Sequence, residues 1–508
     1  MAEGVTIPVD AVPPPMTAPE TIPAPPGDPH LPLIAQQALS RSSGAQFIGG
    51  NAVRILCDST ENYPAWLKGI AGARRTVLFE NYIIANDDVG REFVALLAAK
   101  AREGVQVRLI YDWLGSPFSS KLFRPLIEAG AEVRCFNPPR LAEPFGWLSR
   151  DHRKMIAVDN EIAFVTGLCI ARRWTGDAKR GVPPWRDTGV EVRGPAVAEI
   201  EQAFKQVWDA IGPQPLDEAL LGRRESVAPE GDLTLMVLAS EPSRSSVYRL
   251  DQFIASMARS TLWLTDAYYI GTPIYVDALR NAARDGVDVR LLVPGTSDLP
   301  ATQAFSRAGY RPLLEAGVRV FEWNGSMLHA KTAVADCRWS RVGSSNLNIS
   351  SWLANYELDV AVYDQGFGKQ MEELYLGDLE NSTEIVLAPH NRVRSVRSAR
   401  PPHPGRPRGS ASRAAASVLR IGNTVSAALT NRRVLGASES GVMAKFGAAF
   451  VGLAALGLVW PMAVAVPLAF LGAWIGISLL ARAAKLRRRV DGDAPAAREK
   501  PERSEHRV

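Results

Sequence analysis

An octapeptide that occurs twice constrains this chain more than any other feature. His152-Arg153-Lys154-Met155-Ile156-Ala157-Val158-Asp159 and His329-Ala330-Lys331-Thr332-Ala333-Val334-Ala335-Asp336 share the frame H-x-K-x-x-x-x-D and stand 177 residues apart. Their surroundings repeat too. Thr76-Val77-Leu78-Phe79 followed by Tyr82-Ile83-Ile84 returns as Leu262-Trp263-Leu264-Thr265 followed by Tyr268-Tyr269-Ile270. Gly90 to Glu103, with Phe93, Leu96, Leu97 and Ala101 at helical spacing, returns at Val276 to Asp285. Val105 to Tyr111 returns at Gly286 to Val293, and Arg124-Pro125-Leu126-Ile127-Glu128-Ala129-Gly130 returns as Arg311-Pro312-Leu313-Leu314-Glu315-Ala316-Gly317. Strand, helix, glycine, strand is a βαβ unit. The chain therefore predicts an α/β fold of two similar lobes, each a mixed β-sheet flanked by helices.

Composition sets the boundaries. Residues 1–42 are rich in proline and small residues and predict a disordered or extended tail. The first lobe is expected over 43–212 and the second over 232–388. The linker at 213–231 is marked by Pro213, Pro215, Pro229 and Gly231. Residues 389–440 form a basic linker, with ten arginines and no acidic residue between Arg392 and Arg433. That charge favours an anionic partner. Arg392 to Gly409 predicts disorder. Ser410 to Leu435 has helical spacing and suits either a membrane surface or a solvated linker helix.

From Phe446 to Ala481, 36 consecutive residues carry no charge. One continuous helix of that length would run about 54 Å, against a hydrocarbon core of about 30 Å. Pro461 and Pro467 fall near the middle, and Lys445, Arg482, Lys485, Arg487, Arg488 and Arg489 flank the run. A transmembrane helical hairpin at 441–485 with both flanks cytoplasmic accounts for this better than one tilted span. Residues 486–508 are a charged tail. The N-terminus lacks an apolar run behind a charged one, so no cleavable signal peptide is expected. Cys57, Cys135, Cys169 and Cys337 lie far apart and suggest neither a disulfide framework nor a zinc site, which points to a reducing compartment.

The frame carries chemistry. The other four histidines, His30, His390, His403 and His506, lie in the tail-like segments. His152 and Lys154 are two apart and share one face of a strand. Asp159-Asn160 is a turn pair between two apolar runs, so Asp159 sits at a hairpin tip with a structural part, and Asp336 plays that part in the second copy. If the lobes pack about a pseudo-twofold axis, two histidines and two lysines converge on one cavity. Lys154 and Lys331 would then neutralise a phosphodiester while one histidine attacks phosphorus and the other protonates the leaving oxygen. No carboxylate cluster with metal-ligand spacing accompanies the frame, so a metal-independent reaction without a cofactor is expected.

The duplicated HxKxxxxD resembles the signature of the phospholipase D superfamily. Within it, Arg150-Asp151-His152-Arg153-Lys154 resembles the first motif of bacterial cardiolipin synthases, as do Gly343-Ser344-Ser345-Asn346-Leu347 and Asn355-Tyr356-Glu357-Leu358. The similarity covers roughly residues 45–388. It implies a phosphohistidine intermediate, with His152 as nucleophile and His329 as general acid/base, or the reverse. It also implies phosphate binding by Lys154, Lys331 and Asn346. The family's acid after each motif orients the histidine; Asp187 matches it in the first half and Glu357 in the second. The sequence departs from the pattern at Cys169, which stands in place of an asparagine, and at Asn348 and Ser350, where Asp and Arg are usual.

The resemblance implies a membrane phosphatidyltransferase of cardiolipin-synthase type, joining two molecules of phosphatidylglycerol into cardiolipin and glycerol. Its partners would be anionic phospholipid and the membrane, with no nucleic acid, at the bacterial cytoplasmic (inner) membrane with the lobes on the cytoplasmic side. A phospholipase D hydrolase releasing phosphatidic acid uses the same residues and differs only in admitting water. A superfamily nuclease is a third class; the basic linker suits it, but that stretch offers no aromatic platform for bases.

Overall fold

The duplication recurs strand by strand. The first lobe contributes β1 (Ile48–Cys57), β2 (Thr76–Asn81), β3 (Gln106–Asp112), β4 (Glu132–Phe136), the short β5 (Arg150–Asp151), β6 (Lys154–Val158), β7 (Ile162–Thr166) and β8 (Thr188–Arg193). Seven of these pair in the order β4-β3-β2-β6-β7-β8-β1. The second lobe contributes β9 (Leu233–Ser240), β10 (Thr261–Thr265), β11 (Asp288–Pro294), β12 (Arg319–Trp323), β13 (Thr332–Ala335), β14 (Trp339–Gly343) and β15 (Asn355–Tyr363). They pair as β12-β11-β10-β13-β14-β15-β9, the same order and the same senses. The first three strands of each sheet are parallel because helices cross between them; the rest are antiparallel. This is a mixed α/β fold of two like lobes.

The computed structural model describes residues 33–117, 119–139, 149–242, 244–388 and 392–395, with scattered helical positions between 448 and 477. Residues 1–32 of the expected tail, the helix expected over Ser410 to Leu435, most of the hairpin expected at 441–485 and the tail at 486–508 lie outside the described residues. No helix among the described residues is long and apolar enough to cross a membrane.

β1 joins the two sheets. Its C-terminal part pairs with β8, while Ile48 and Asn51 pair with Leu235 and Leu233 of β9 across an irregularity. Gly49-Gly50 supplies the bend, Gly50 having φ +82°. The layers follow from the two-residue period of the strands. In β2, Val77 and Phe79 pack outward under helices Asp58–Ala71, Asp88–Arg102 and Ser120–Glu128, while Leu78 faces the central layer. Helix Ala196–Ile211 fills that central layer with Val197, Ile200, Phe204, Val207 and Trp208, against Leu235 and Leu358 of the other lobe. With apolar side chains on both faces, the strands read as continuous apolar runs rather than alternating ones.

Three expectations change at the edges. The last part of the predicted tail is a helix, Leu33–Ser43, whose Leu39 is 2% exposed and packs with Leu250 and Ile254 of the second lobe. Proline enrichment stops before Leu33, and an apolar helix face follows it. β16 (Ser382–Ala388) and β17 (Arg392–Ser395) extend the second sheet beyond β12, so the segment expected to be disordered starts with an edge strand. Backbone pairing overrides composition there. The linker is also held down, because Leu216 and Leu221 are buried in the central core.

The turn pairs behave alike in both lobes. Asp159 and Asn160 have φ 56° and 62°, and Asp336 and Cys337 have 52° and 54°. The Asp159 carboxylate accepts from the backbone N–H groups of Arg74, Arg75 and Thr76 at 2.7–2.8 Å. Asp336 accepts from Arg259, Ser260 and Thr261 in the same way. Each carboxylate thus ties the motif hairpin to the entry of its lobe's first parallel strand. Asp159→Asn, which keeps the left-handed turn, should cost about 1–3 kcal/mol of stability without touching the site. Denaturant unfolding checks this; an unchanged midpoint would refute the tie.

Candidate active site

Each histidine is placed by a short pairing that crosses between the lobes. β5 lies parallel to the start of β15, with Arg150 opposite Asn355 and Asp151 opposite Tyr356, and His152 N–H donates to the Tyr356 carbonyl at 2.9 Å. On the other side Arg186 bridges in parallel to Leu328. Arg186 N–H donates to the Met327 carbonyl at 2.9 Å, and His329 N–H donates to the Arg186 carbonyl at 2.7 Å.

The residue after each bridge is the acid. Glu357 Oε2 lies 2.9 Å from His152 Nδ1, and Asp187 Oδ2 lies 2.7 Å from His329 Nδ1. By its place after a motif, each acid reads as the partner of that motif's own histidine; the structure exchanges them. The physical reason is the strand pairing, since each acid rides on the segment bonded to the opposite motif. Both carboxylates are fully buried and further held. Ser344 Oγ donates to Glu357 Oε2 at 2.6 Å and Asn355 Nδ2 to Oε1 at 3.0 Å. Trp174 Nε1 donates to Asp187 Oδ2 at 3.2 Å and Thr188 N–H to Oδ1 at 2.9 Å. A carboxylate on Nδ1 fixes the tautomer and leaves Nε2 as the ring nitrogen not held by that carboxylate.

The lysines complete the centre. Lys154 Nζ donates to the His152 carbonyl at 2.5 Å. Lys331 Nζ donates to the His329 carbonyl and stands 3.0 and 3.1 Å from the two ring nitrogens of His329. Aromatic rings wall the imidazoles: Tyr82 lies 4.9 Å from His152, and Trp174, Tyr268 and Trp185 lie 5.3, 5.8 and 5.9 Å from His329, centroid to centroid.

Electrostatics show that the two halves share one site. Burial pushes His152 down to about 4, against the pull of Glu357, with Lys154 and Lys331 both adding to the depression. Burial and Lys331 push His329 down to about 3, with Asp187 opposing and Lys154 adding. Each imidazole therefore feels the lysine of the other lobe. Burial alone would raise Glu357 and Asp187, but the paired imidazoles and the lysines hold both below the usual carboxylate range. Burial also lowers Lys331, to about 8. At neutral pH both histidines are unprotonated, as a nucleophile must be.

Sequence reading and structure part company on detail. Asn346 is 4% exposed and its Oδ1 has no partner among the described residues. Cys169 is 1% exposed, and burial raises its thiol while Lys154, Arg173 and Lys331 act against that. Asn348 caps the short helix Ile349–Leu353, its Oδ1 accepting from Ser350 and Ser351, so that departure has a local structural use. Asp159 and Asp336 lie at the far ends of their hairpins. Ser344, Asn355, Tyr82 and Trp174 carry the immediate surroundings and were not singled out from sequence. Ser344 and Asn355 stand inside the family-like motifs; nothing local marks Trp174.

A family profile described as "Cardiolipin synthase, PLD-like domain" matches residues 66–208 and 252–378. This chain belongs to that family. It is 34% identical over 340 residues to the cardiolipin synthase of Alkalihalophilus pseudofirmus, covering 65% of this chain and 67% of that one. It is 32% identical over 353 residues to cardiolipin synthase A of Pseudomonas fluorescens, covering 66% and 70%. Among solved structures, a phosphatidylserine synthase from Haemophilus influenzae shares the fold, with a TM-score of 0.54 at 13% identity over 68% of this chain and 91% of the other. Each matched segment of the family profile contains one of the two motifs, in keeping with the pair of lobes.

Lys331 gives a pH expectation. It holds its proton below about 8 and loses it above, and with it a positive charge in the cavity. kcat/KM for an anionic phosphodiester should therefore fall as pH rises through about 8, since that ratio reports the free enzyme. A profile flat to pH 10 would refute a role for this charge.

Proposed function

We propose that the chain is a phosphatidyltransferase of cardiolipin-synthase type that works through a phosphohistidine. The observation that carries this is the pair of crossed histidine–carboxylate contacts, which bring two imidazoles and two lysines into one centre. Family membership supplies the reaction class. Lys154, Lys331 and Asn346 bind the non-bridging oxygens of the phosphodiester. One imidazole attacks phosphorus, the bond to the glycerol oxygen breaks, and the other imidazole gives that oxygen its proton. The bound anion raises the imidazole that must carry this proton above its value in the empty site. In the second step the hydroxyl of another phosphatidylglycerol loses its proton to the same imidazole. Its oxygen bonds to phosphorus as the phosphorus–nitrogen bond breaks. Cardiolipin and glycerol are the products. By position His152 is the nucleophile and His329 the acid/base.

The setting follows from the uncharged run at Phe446 to Ala481. Its described residues include Val451, Met462, Phe470 and Ile477, which are helical and 67–75% exposed. Apolar side chains so exposed suit lipid rather than water. We assign the run to a membrane hairpin, at the bacterial cytoplasmic membrane, with the lobes on the basic, cytoplasmic side.

Labelled phosphatidylglycerol given to the full chain in vesicles should yield cardiolipin and glycerol; phosphatidic acid as sole product would establish the hydrolase instead. His152→Ala and His329→Ala should each lower turnover by at least about a thousandfold, since removing one member of a cooperating pair disables both steps. Substantial activity in either would overturn the shared centre. The lysines do the work a metal would do elsewhere, so EDTA should leave the rate within about twofold; strong inhibition, reversed by added metal, would refute this.

A further inference from the structure

The side of the centre formed by the first lobe holds one cation more than a single phosphodiester needs. Arg150 precedes His152 by two residues, as Lys154 follows it by two, on an extended run. Arg150 is 9% exposed, and its Nε and Nη1 are buried without a hydrogen-bond partner among the described residues. The carboxylate that faces it electrostatically is Asp112, and that group is already engaged. Asp112 Oδ1 accepts from Leu114 and Gly115 N–H at 2.8 and 2.9 Å, and Oδ2 accepts from Asp151 N–H at 3.0 Å. Arg150 also acts on the hydroxyl of Tyr82, the ring set 4.9 Å from His152. Buried guanidinium N–H groups left without acceptors cost stability, so two such groups among the described residues are suited to an incoming anion.

From this we infer that Arg150 is the seat of a second anion, the phosphodiester of the acceptor phosphatidylglycerol. The inference rests on the transferase reading above. The reacting phosphate already has Lys154, Lys331 and Asn346. In the second step the acceptor brings another phosphate, which stays intact while its glycerol hydroxyl attacks. Two phosphorus atoms joined through a three-carbon bridge stand about 6–7 Å apart at ordinary bond lengths. Two residues of extended chain cover about 6.6 Å, so Arg150 and His152 are spaced along this run by about the length of that bridge. A guanidinium binds a phosphodiester through two parallel hydrogen bonds, which also fixes the acceptor's direction. Water and neutral alcohols lack this handle, so the subsite favours lipid acceptors over hydrolysis.

The test uses the common intermediate. The full chain in phosphatidylglycerol vesicles is given butanol, and the ratio of cardiolipin to phosphatidylbutanol is measured. The ratio compares acceptors only and is independent of how fast the donor reacts. Arg150→Met should lower it about tenfold or more, the worth of a charged hydrogen-bonded contact. Its melting temperature should hold or rise, because the unpaired charge is gone. An unchanged ratio overturns the inference, because Arg150 then acts on the donor or on neither lipid. So does a fall of several degrees in melting temperature, which makes the residue structural. Arg173 is the rival seat, exposed and stacked 4.6 Å over Trp174 and 5.4 Å over Trp185 on the His329 side. If Arg173→Met moves the ratio and Arg150→Met does not, the acceptor phosphate lies there instead. A wild-type chain that makes no cardiolipin overturns the transferase reading itself and this inference with it.

Discussion

Each motif imidazole leans on a carboxylate from the other lobe, and much of the structure follows from that exchange. Glu357 and Asp187 are fully buried, and an ionised carboxylate buried alone costs several kcal/mol. Part of the cost is offset within each lobe, by Ser344 and Asn355 on Glu357 and by Trp174 and Thr188 on Asp187, and part across the interface, by His152 on Glu357 and His329 on Asp187. Neither lobe alone holds an oriented histidine. The interface and the active centre are thus one feature, and loosening one loosens the other.

Two arginines beside the motifs strengthen that interface. Arg153, fully buried, donates through Nε to the Glu357 carbonyl at 3.2 Å and through Nη2 to Gln206 Oε1 at 2.7 Å and the Ser240 carbonyl at 3.0 Å. Arg186 donates to Asp378 Oδ1 at 2.7 Å and to Asp58 Oδ1 at 3.1 Å, one carboxylate from each lobe. Both belong to the first lobe, and the second motif has Ala330 where the first has Arg153. The duplication has drifted from equality at the interface as well as at Cys169 and Asn346. The first lobe also provides the tryptophans that wall His329. A site built this way can treat its two faces differently, as a transfer reaction with a donor and an acceptor requires.

The fold was legible where periodicity and repetition agree. β2, β3 and the helix between them could be read because each has a matched copy in β10, β11 and their helix. The turn at Asp159-Asn160 could be read because two left-handed residues between apolar runs leave few alternatives. The helix Leu33–Ser43 could not, because its partners Leu250 and Ile254 are about 210 residues away. The strand β17 pairs with its neighbour β16, but its arginine-rich composition gives no strand signal. Composition described both segments as tails, and pairing with the second lobe made them part of the fold.

The site divides along the same line. The sequence by itself determined its cast: two His-x-Lys pairs, the acids after them, and the turn aspartates set apart from the chemistry. Residues two apart on a strand share a face wherever the strand goes, so that much is local. Which acid serves which histidine was decided only in three dimensions, because β5 pairs with β15, and Arg186 with Leu328, across about 200 and 140 residues. The same holds for the depressed histidines, which owe their state to burial, and for Arg150, whose Nε and Nη1 lack a partner among the described residues. Chemistry that depends on residue type is written locally; chemistry that depends on burial and partnership exists only once the lobes have closed on each other.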